Sequence, residues 1–450
     1  MTTPPPQVRF SRRRLLALGL GGAAAGLVRS PGRAAASQVS TVRTTLPNGL
    51  LVIAEERRSA EVVAVRLTAR AGARDTADLP GLALLTSRLM FQGTARFPSE
   101  TDVQRAAILV GGTIERGTTV EHSLISSVVP SFEADVGFDL LSDIVINARM
   151  AEDALERQKR IALQELAQRR GSAASLIQEL YQSSLFAGHP LGAPVIGTQD
   201  SIGAISRDAI LGARERLWRA NNLVLTVVGN IPPEEVLSKA QRFFGPLPAG
   251  ARNQRQAIRL EPKNLPTTVR GEAGQQQVQF RIGFAAPALR DRDSYPFLLL
   301  DFIMSGSSGL IFRELRTERG LAYVADSAYV PYQDAGTWFA TAGVDPQNLE
   351  AAIDVTQAVI RLVRDFRVSE RGLADLPGQI QGQRALEDET NAARADRLAN
   401  QEVLGEEPTD ELLARLSEVT PADVQRIARE YLQPERALTA IVGPPARTDR

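Results

Sequence analysis

Two stretches of this chain, 214 positions apart, end in the same way, and that limits the possible folds more than any total does. Residues 205–231, ISRDAILGARERLWRANNLVLTVVGNI, place Ile205-Ser206 before an amphipathic run and then an apolar run closed by Gly229. Residues 419–445, VTPADVQRIAREYLQPERALTAIVGPP, place Val419-Thr420 before the same succession, closed by Gly443. Ser206 and Thr420 offer the hydroxyl that caps a helix N-terminus. The offset is 214 both from Ile205 to Val419 and from Gly229 to Gly443, which points to two copies of one domain.

The 450 residues leave room for both copies. Apolar alternation and helical periodicity in the first half predict strands near 50–55 and 61–71 and a helix from about Leu79. A second helix capped by Ser99, strand-like residues 113–129 and long helices over 131–147 and 151–169 follow. Strands segregated from long helices describe an α+β fold, each domain an antiparallel sheet covered by helices. The expected division is an N-terminal domain over 37–248, a polar, proline-bearing linker over 249–266 and a C-terminal domain over 267–450.

Composition removes several chemistries. The chain has no cysteine, which excludes disulfides, thiolate nucleophiles and cysteine-bound zinc. It has two histidines, His122 and His189, so no single helix carries a pair of imidazole ligands. Residues 1–36 hold six arginines and no acid, which leaves 46 basic against 52 acidic residues in the remainder. An acidic body with 5% aromatic residues argues against a nucleic-acid partner. The basic start reads as an address. Ser11-Arg12-Arg13-Arg14-Leu15-Leu16 is a twin-arginine pattern, LALGLGGAAAGLV is a weakly apolar run, and Ala34-Ala35-Ala36 is a small-residue cleavage site. A periplasmic protein exported by the twin-arginine route is the expectation, with no membrane association after cleavage.

Five segments then occur in a specific order: TLPNGLLVIAEE, AGARDTADLPGLALLTSRLMFQGT, GGTIERGTTVEHSLISSVVP, NARMAEDALERQKRIALQEL and FAGHPLGAPVIGTQDSI. Together they resemble the pitrilysin-type zinc peptidases over residues 41–445. That family includes insulin-degrading enzyme, the mitochondrial processing peptidase and bacterial two-domain relatives. The resemblance implies that each chain forms half of a clam-like chamber. It also implies a helix carrying His-x-x-Glu-His, whose i and i+4 imidazoles share a face and grip zinc while the glutamate acts on bound water.

Mapped onto this chain, those three positions are Leu84, Ser87 and Arg88, and the family's third zinc ligand is Glu165. Leu84 offers no lone pair, Ser87 is a weak base, and Arg88 is a permanent cation that repels a metal. No metal is expected in this chain, and an Arg88–Glu165 ion pair is expected to fill the former cavity. The family's cleft-lining GGxxNAxT segment reads Gly111-Gly112-Thr113-Ile114-Glu115-Arg116-Gly117-Thr118, with Glu115 and Arg116 at the substituted positions. His122 reads as a surface or satisfied histidine and His189 as a residue shaping a turn.

The second half departs less. Residues 305–330, SGSSGLIFRELRTERGLAYVADSAYV, resemble the family segment in which an arginine holds substrate and a tyrosine seven residues later stabilises the oxyanion. The matching residues are Arg316 and Tyr323. A phenol aimed at developing charge contributes on the order of 2–4 kcal/mol to a transition state. A bland alternative stays open, with Arg316 in a solvated charge run and Tyr323 opening a buried strand.

Two functions are therefore expected. The first is a non-catalytic subunit of a heterodimeric zinc metallopeptidase that degrades or processes unfolded peptides. Its paralogous partner would bear His-x-x-Glu-His and the zinc, while this chain contributes Arg316 and Tyr323. The second is a catalytically inert peptide-binding or scaffold protein, comparable to core subunits of a respiratory complex.

Overall fold

The structure, a computed structural model, describes residues 41–255, 257, 267–274, 276–365 and 367–444. The twin-arginine stretch, its cleavage site and much of the 249–266 segment lie outside the described residues. Among the described residues no helix is long and apolar enough to cross a membrane.

The duplication read from two capped helices is present in the topology. The first sheet contains β1 (Thr41–Thr45), β2 (Leu51–Glu56), β3 (Val62–Ala69), β4 (Thr113–Thr118), β5 (Ser123–Pro130) and β6 (Leu223–Gly229), in the order β1-β2-β6-β3-β5-β4. The second contains β7 (Thr267–Glu272), β8 (Val278–Ala286), β9 (Ala322–Pro331), β10 (Gly336–Val344) and β11 (Leu438–Gly443), in the order β7-β11-β8-β10-β9. Setting β1 aside, the two orders correspond strand for strand. Each sheet is antiparallel except for one parallel pair, β2 with β6 and β7 with β11. The α+β class holds, with the sheets mixed rather than purely antiparallel. Ser206 and Thr420 cap their helices by accepting from the amides of Ala209 and Asp423.

Helices cover both faces of each sheet, and one of the covers is exchanged between the halves. In β6, all seven residues of LVLTVVG are buried, the mark of a strand packed on two sides. Leu223, Leu225 and Val227 face the first half's own helices. Val224 and Val228 alternate to the other side and pack on Ala395, Leu398 and Val403. Those three residues lie on Asn391–Val403, a helix of the second half. Reciprocally, Ala173, Ile177 and Tyr181 of Ala173–Leu185 in the first half pack on Leu438, Ala440 and Val442 of β11. Each sheet thus borrows a helix from the opposite half.

Directed polar contacts fix the exchange. Arg394 Nη2 lies 2.8 Å from Glu55 Oε2, and Arg70 Nη2 lies 2.7 Å from Glu402 Oε1. The Tyr181 hydroxyl stands 2.7 Å from Thr337 Oγ1. At the tip of the β9–β10 hairpin, Asp334 receives Arg74 at 2.6 Å, and Arg74 also bonds Glu121 at 2.8 Å.

Candidate functional site: a filled metal position and an exposed Arg–Tyr pair

The helix Leu82–Met90 begins at Gly81, whose φ of 93° lies in the left-handed region that glycine adopts without strain. A Cβ there would stand 2.9 Å from the carbonyl oxygen of Ile196. Ser201 Oγ donates to the Pro80 carbonyl at 2.7 Å, so the start of the helix is pinned against the loop that contains Gly197. Leu82, Leu85 and Leu89 sink into the core, which fixes the rotation of the helix. Leu84 and Arg88, one turn apart, lie on a half-buried flank.

That flank faces Glu152–Gly171. Arg88 Nη2 lies 2.7 Å from Glu165 Oε2, with 15% of the arginine side chain and 36% of the glutamate side chain exposed. The ion pair expected from the sequence is present. The second terminal nitrogen of Arg88, Nη1, is buried without a hydrogen-bond partner. Ser87 is 1% exposed; its hydroxyl donates to the Leu84 carbonyl at 2.9 Å and lies 3.0 Å from Thr118 Oγ1 on β4.

This donor set does not fit zinc. Where the metal would sit, an alkyl chain, a hydroxyl turned back on its own helix and a guanidinium replace two imidazoles and a carboxylate. The one retained carboxylate already neutralises the guanidinium. Among the described residues no group of three His, Cys, Asp or Glu is placed to hold a metal ion.

Glu115 and Arg116 lie on β4, the open edge of the first sheet. Glu115 is exposed. Arg116 turns back, with its guanidinium 5.0 Å from the Phe91 ring centroid and bonded to Glu100, which also accepts from Gln92 Nε2 at 2.6 Å. The Arg116 side chain is therefore engaged in an internal contact, while Glu115 is exposed on the strand.

Arg316 and Tyr323 come together on the matching edge of the second sheet. Arg313–Thr317 form a single turn of π-helix, a rare geometry that recurs at functional sites. On β9 the ladder pairs Val324 with Gly343 and Ala322 with Val344, so Tyr323 is left unpaired at a β-bulge. A bulge puts two successive residues on one side, and Tyr323 and Val324 are accordingly 70% and 54% exposed. The guanidinium of Arg316 stands 4.9 Å from the Tyr323 ring centroid and 5.4 Å from that of Phe312, and Nη1 bonds the Tyr323 carbonyl. Tyr323 is thus exposed near the start of β9, and Arg316, itself exposed as a charge run on a solvated face would have it, lies against the Tyr323 ring. No hydrogen bond or ion pair among the described residues joins this pair to Arg88 and Glu165.

With that geometry in hand, comparison with known proteins decides the family. The insulinase model (peptidase family M16) matches residues 51–199, and the model described as the peptidase M16 inactive domain matches residues 204–375. The chain belongs to the insulinase family. An uncharacterized zinc protease of Streptomyces coelicolor is 27% identical over 418 residues, covering 90% of each chain. One from Mycobacterium tuberculosis is 28% identical over 426 residues, covering 92% of this chain and 96% of the relative. Among solved structures, a protease from Helicobacter pylori superposes with a TM-score of 0.83 at 17% identity, covering 90% of this chain and all of that one. A peptidase M16 inactive domain from Pseudomonas fluorescens superposes with a TM-score of 0.81 at 18% identity, covering 91% and 98%. At those identities the structures establish the fold alone.

Within this insulinase-family chain, both histidines serve structure. His122 lies in the β4–β5 turn, buried, with Nδ1 3.2 Å from Thr119 Oγ1. Burial, aided by the Arg66 charge, lowers its pKa to about 4. His189 Nδ1 accepts from the Leu191 amide at 3.1 Å and shapes the turn as expected. Sequence reasoning did not single out Thr118, which holds Ser87, or Glu100, which holds Arg116. A serine and an arginine placed in an apolar helix and an edge strand need partners, and that need was the available signal.

Proposed function

We propose that this protein is the non-catalytic subunit of a heterodimeric zinc metallopeptidase. Its partner would be a paralogous chain bearing His-x-x-Glu-His and the zinc. The observation that carries this reading is Tyr323. A bulge holds its phenol out from an edge strand, with the Arg316 guanidinium against its ring and bonded to its carbonyl. No core packing requires a 70% exposed tyrosine there. A bulge that re-aims a side chain is a feature folds maintain for use. In the same chain the metal position is closed by Arg88 and Glu165.

In the assembled pair, the Tyr323 hydroxyl would donate to the oxyanion formed at the partner's zinc, and Arg316 would set the ring and bind a substrate carbonyl. Unfolded peptide would lie along the open edges β4 and β9, beside exposed Glu115, by main-chain strand addition. The twin-arginine start supports a periplasmic location for this work.

The test is reconstitution with a paralogue that carries the motif. The isolated chain should bind no zinc and cleave no peptide, while the mixture cleaves. Tyr323→Phe in the mixture should lower kcat by about 10²-fold with little change in KM. Full activity from the partner alone, or an unchanged kcat for Tyr323→Phe, would defeat the proposal and leave the scaffold role.

A further inference from the structure

The two edge strands are not equally open. β9 ends the second sheet, with β10 on one side only. Along an antiparallel edge every second residue turns both of its main-chain groups away from the partner strand, and an added strand pairs with those groups. On β9 two of the amides are already taken. The Ser327 amide donates to Asp326 Oδ1 at 2.8 Å, and the Tyr329 amide donates to the Asp301 carboxylate. Pro331, next in that alternate set, has no N–H to offer.

A loop completes the closure. Asp301 belongs to the helix Ser294–Met304, and its Oδ1 receives Trp338 Nε1 at 2.8 Å and the Ser327 hydroxyl at 3.2 Å, which sets it on one face of the sheet. Asp326 alternates with Ser327 and turns to the other face. The loop 305–309 leaves this helix with the Ser305 amide on the Asp301 carbonyl at 2.7 Å, and one residue later the Gly306 amide donates to Asp326 Oδ1 at 2.8 Å. The loop therefore passes around the edge of β9, with Gly306 at a φ of 73°, where glycine is unstrained. Beyond Pro331, the Tyr332 carbonyl accepts from the Leu289 amide at 2.8 Å. Ser327 is accordingly 4% exposed, a short way along the strand from exposed Tyr323.

The first sheet shows that duplication alone does not impose this closure. The ladder row Arg66–Ser126–Glu115 matches the row Arg281–Thr341–Asp326, so Glu115 and Asp326 hold equivalent places at the two edges. Glu115 is exposed, and no residue of β4 is buried. One half leaves its edge uncovered at this row, and the other uses the acid to close it. We propose that an added peptide pairs with β9 no further than Ala325 and is held in register beside Tyr323, because Asp326, Asp301 and the loop 305–309 close the strand from Ser327 onward. This rests on the reading of the chain as a peptide-binding subunit and names where along β9 the peptide stops.

The chain contains no cysteine, so a single introduced thiol reports one place on the strand. Val324→Cys and Ala328→Cys put it on the same face of β9, on either side of Asp326. Each purified full chain is mixed with the extended heptapeptide acetyl-Gly-Thr-Val-Cys-Val-Thr-Gly-amide, its thiol activated as the mixed disulfide with thionitrobenzoate. Exchange joins peptide to protein and releases thionitrobenzoate. Its rate, divided by that of the same protein thiol with the small aromatic disulfide alone, measures pairing and not exposure. Val324→Cys should be captured about tenfold faster than Ala328→Cys, which sits between the two closed amides. Adding Asp326→Ala to Ala328→Cys should raise its capture about fivefold, the factor one hydrogen bond contributes, while Asp326→Asn keeps the Oδ1 acceptor and should not. Equal capture at the two positions, or no rise with Asp326→Ala, would overturn the proposal. Capture at neither would show that β9 takes no strand and would overturn it too, with the role of the Tyr323 hydroxyl still decided by Tyr323→Phe kinetics. An unchanged kcat for Tyr323→Phe beside the expected capture pattern would instead defeat the catalytic reading and leave the stop on β9 standing.

Discussion

Replacing Glu165 with glutamine removes the charge that faces Arg88 and keeps the shape of the side chain. A hydrogen bond to a charged group contributes about 1.5–3 kcal/mol. Glu165 keeps about a third of its side chain exposed, so water screens part of the interaction, and about 1–2 kcal/mol is the expected loss. The loss is not smaller because Arg88 is only 15% exposed and Nη1 already lacks a partner, so water replaces Glu165 poorly. Arg88→Met should cost less than about 1 kcal/mol, since an unbranched apolar chain fills the flank beside Leu84 and removes the unpaired donor. In the double variant the loss from Glu165→Gln should nearly vanish, giving a coupling energy of about 1–2 kcal/mol. Urea unfolding of the four proteins at neutral pH and moderate salt measures the cycle, with equal m-values confirming that the denatured state is unchanged. Additivity within about 0.3–0.5 kcal/mol would show that the pair contributes nothing, and the reading of a cavity closed by charge would fail.

Three further outcomes follow from the geometry. Restoring imidazoles by Leu84→His with Arg88→His puts two ligands at i and i+4 facing Glu165, so the double variant should bind zinc stoichiometrically by equilibrium dialysis, whereas absence of uptake would refute the mapping of Glu165. His122 and Asp301 should pull the pH profile of stability in opposite directions. Burial lowers the His122 pKa from 6.5 to about 4, so stability is lost as pH falls through that window, by about 3 kcal/mol at 1.36 kcal/mol per unit. Burial raises that of Asp301 from 3.8 to about 6, so stability is lost as pH rises across that interval. His122→Gln should leave the Asp301 slope alone, with greater stability near pH 4 than near pH 6 by urea titration, and an unchanged profile would contradict the burial argument. Tyr181→Phe should cost about 1 kcal/mol, because Thr337 Oγ1 keeps its 3.1 Å bond to the Phe284 carbonyl, and a loss well above that would show that the exchanged helix depends on this hydroxyl more than its geometry implies.

Local sequence carried the repeated unit but not the way the units interlock. Ser206 and Thr420 cap their helices through bonds three residues away, and the matching glycines close strands at equivalent places in two sheets of one order. The exchanged helices left no such mark, because Asn391–Val403 is amphipathic whichever sheet it covers. The structure shows the need for a second cover of β6 in the unbroken burial of LVLTVVG. The site divides along the same line. Once the family resemblance aligns them with His-x-x-Glu-His, Leu84, Ser87 and Arg88 read as a metal position without its ligands, since none of the three chemistries survives the substitution. Whether Tyr323 is buried or presented depends instead on one unpaired position in a ladder with Gly343 and Val344 of β10, well along the chain, and no local pattern encodes that register. Under the proposed function, the bulge marks a part held ready for use and not a remnant. A strand in regular alternation would have turned either Tyr323 or Val324 inward, whereas here both face out at the open edge, where another chain can reach them.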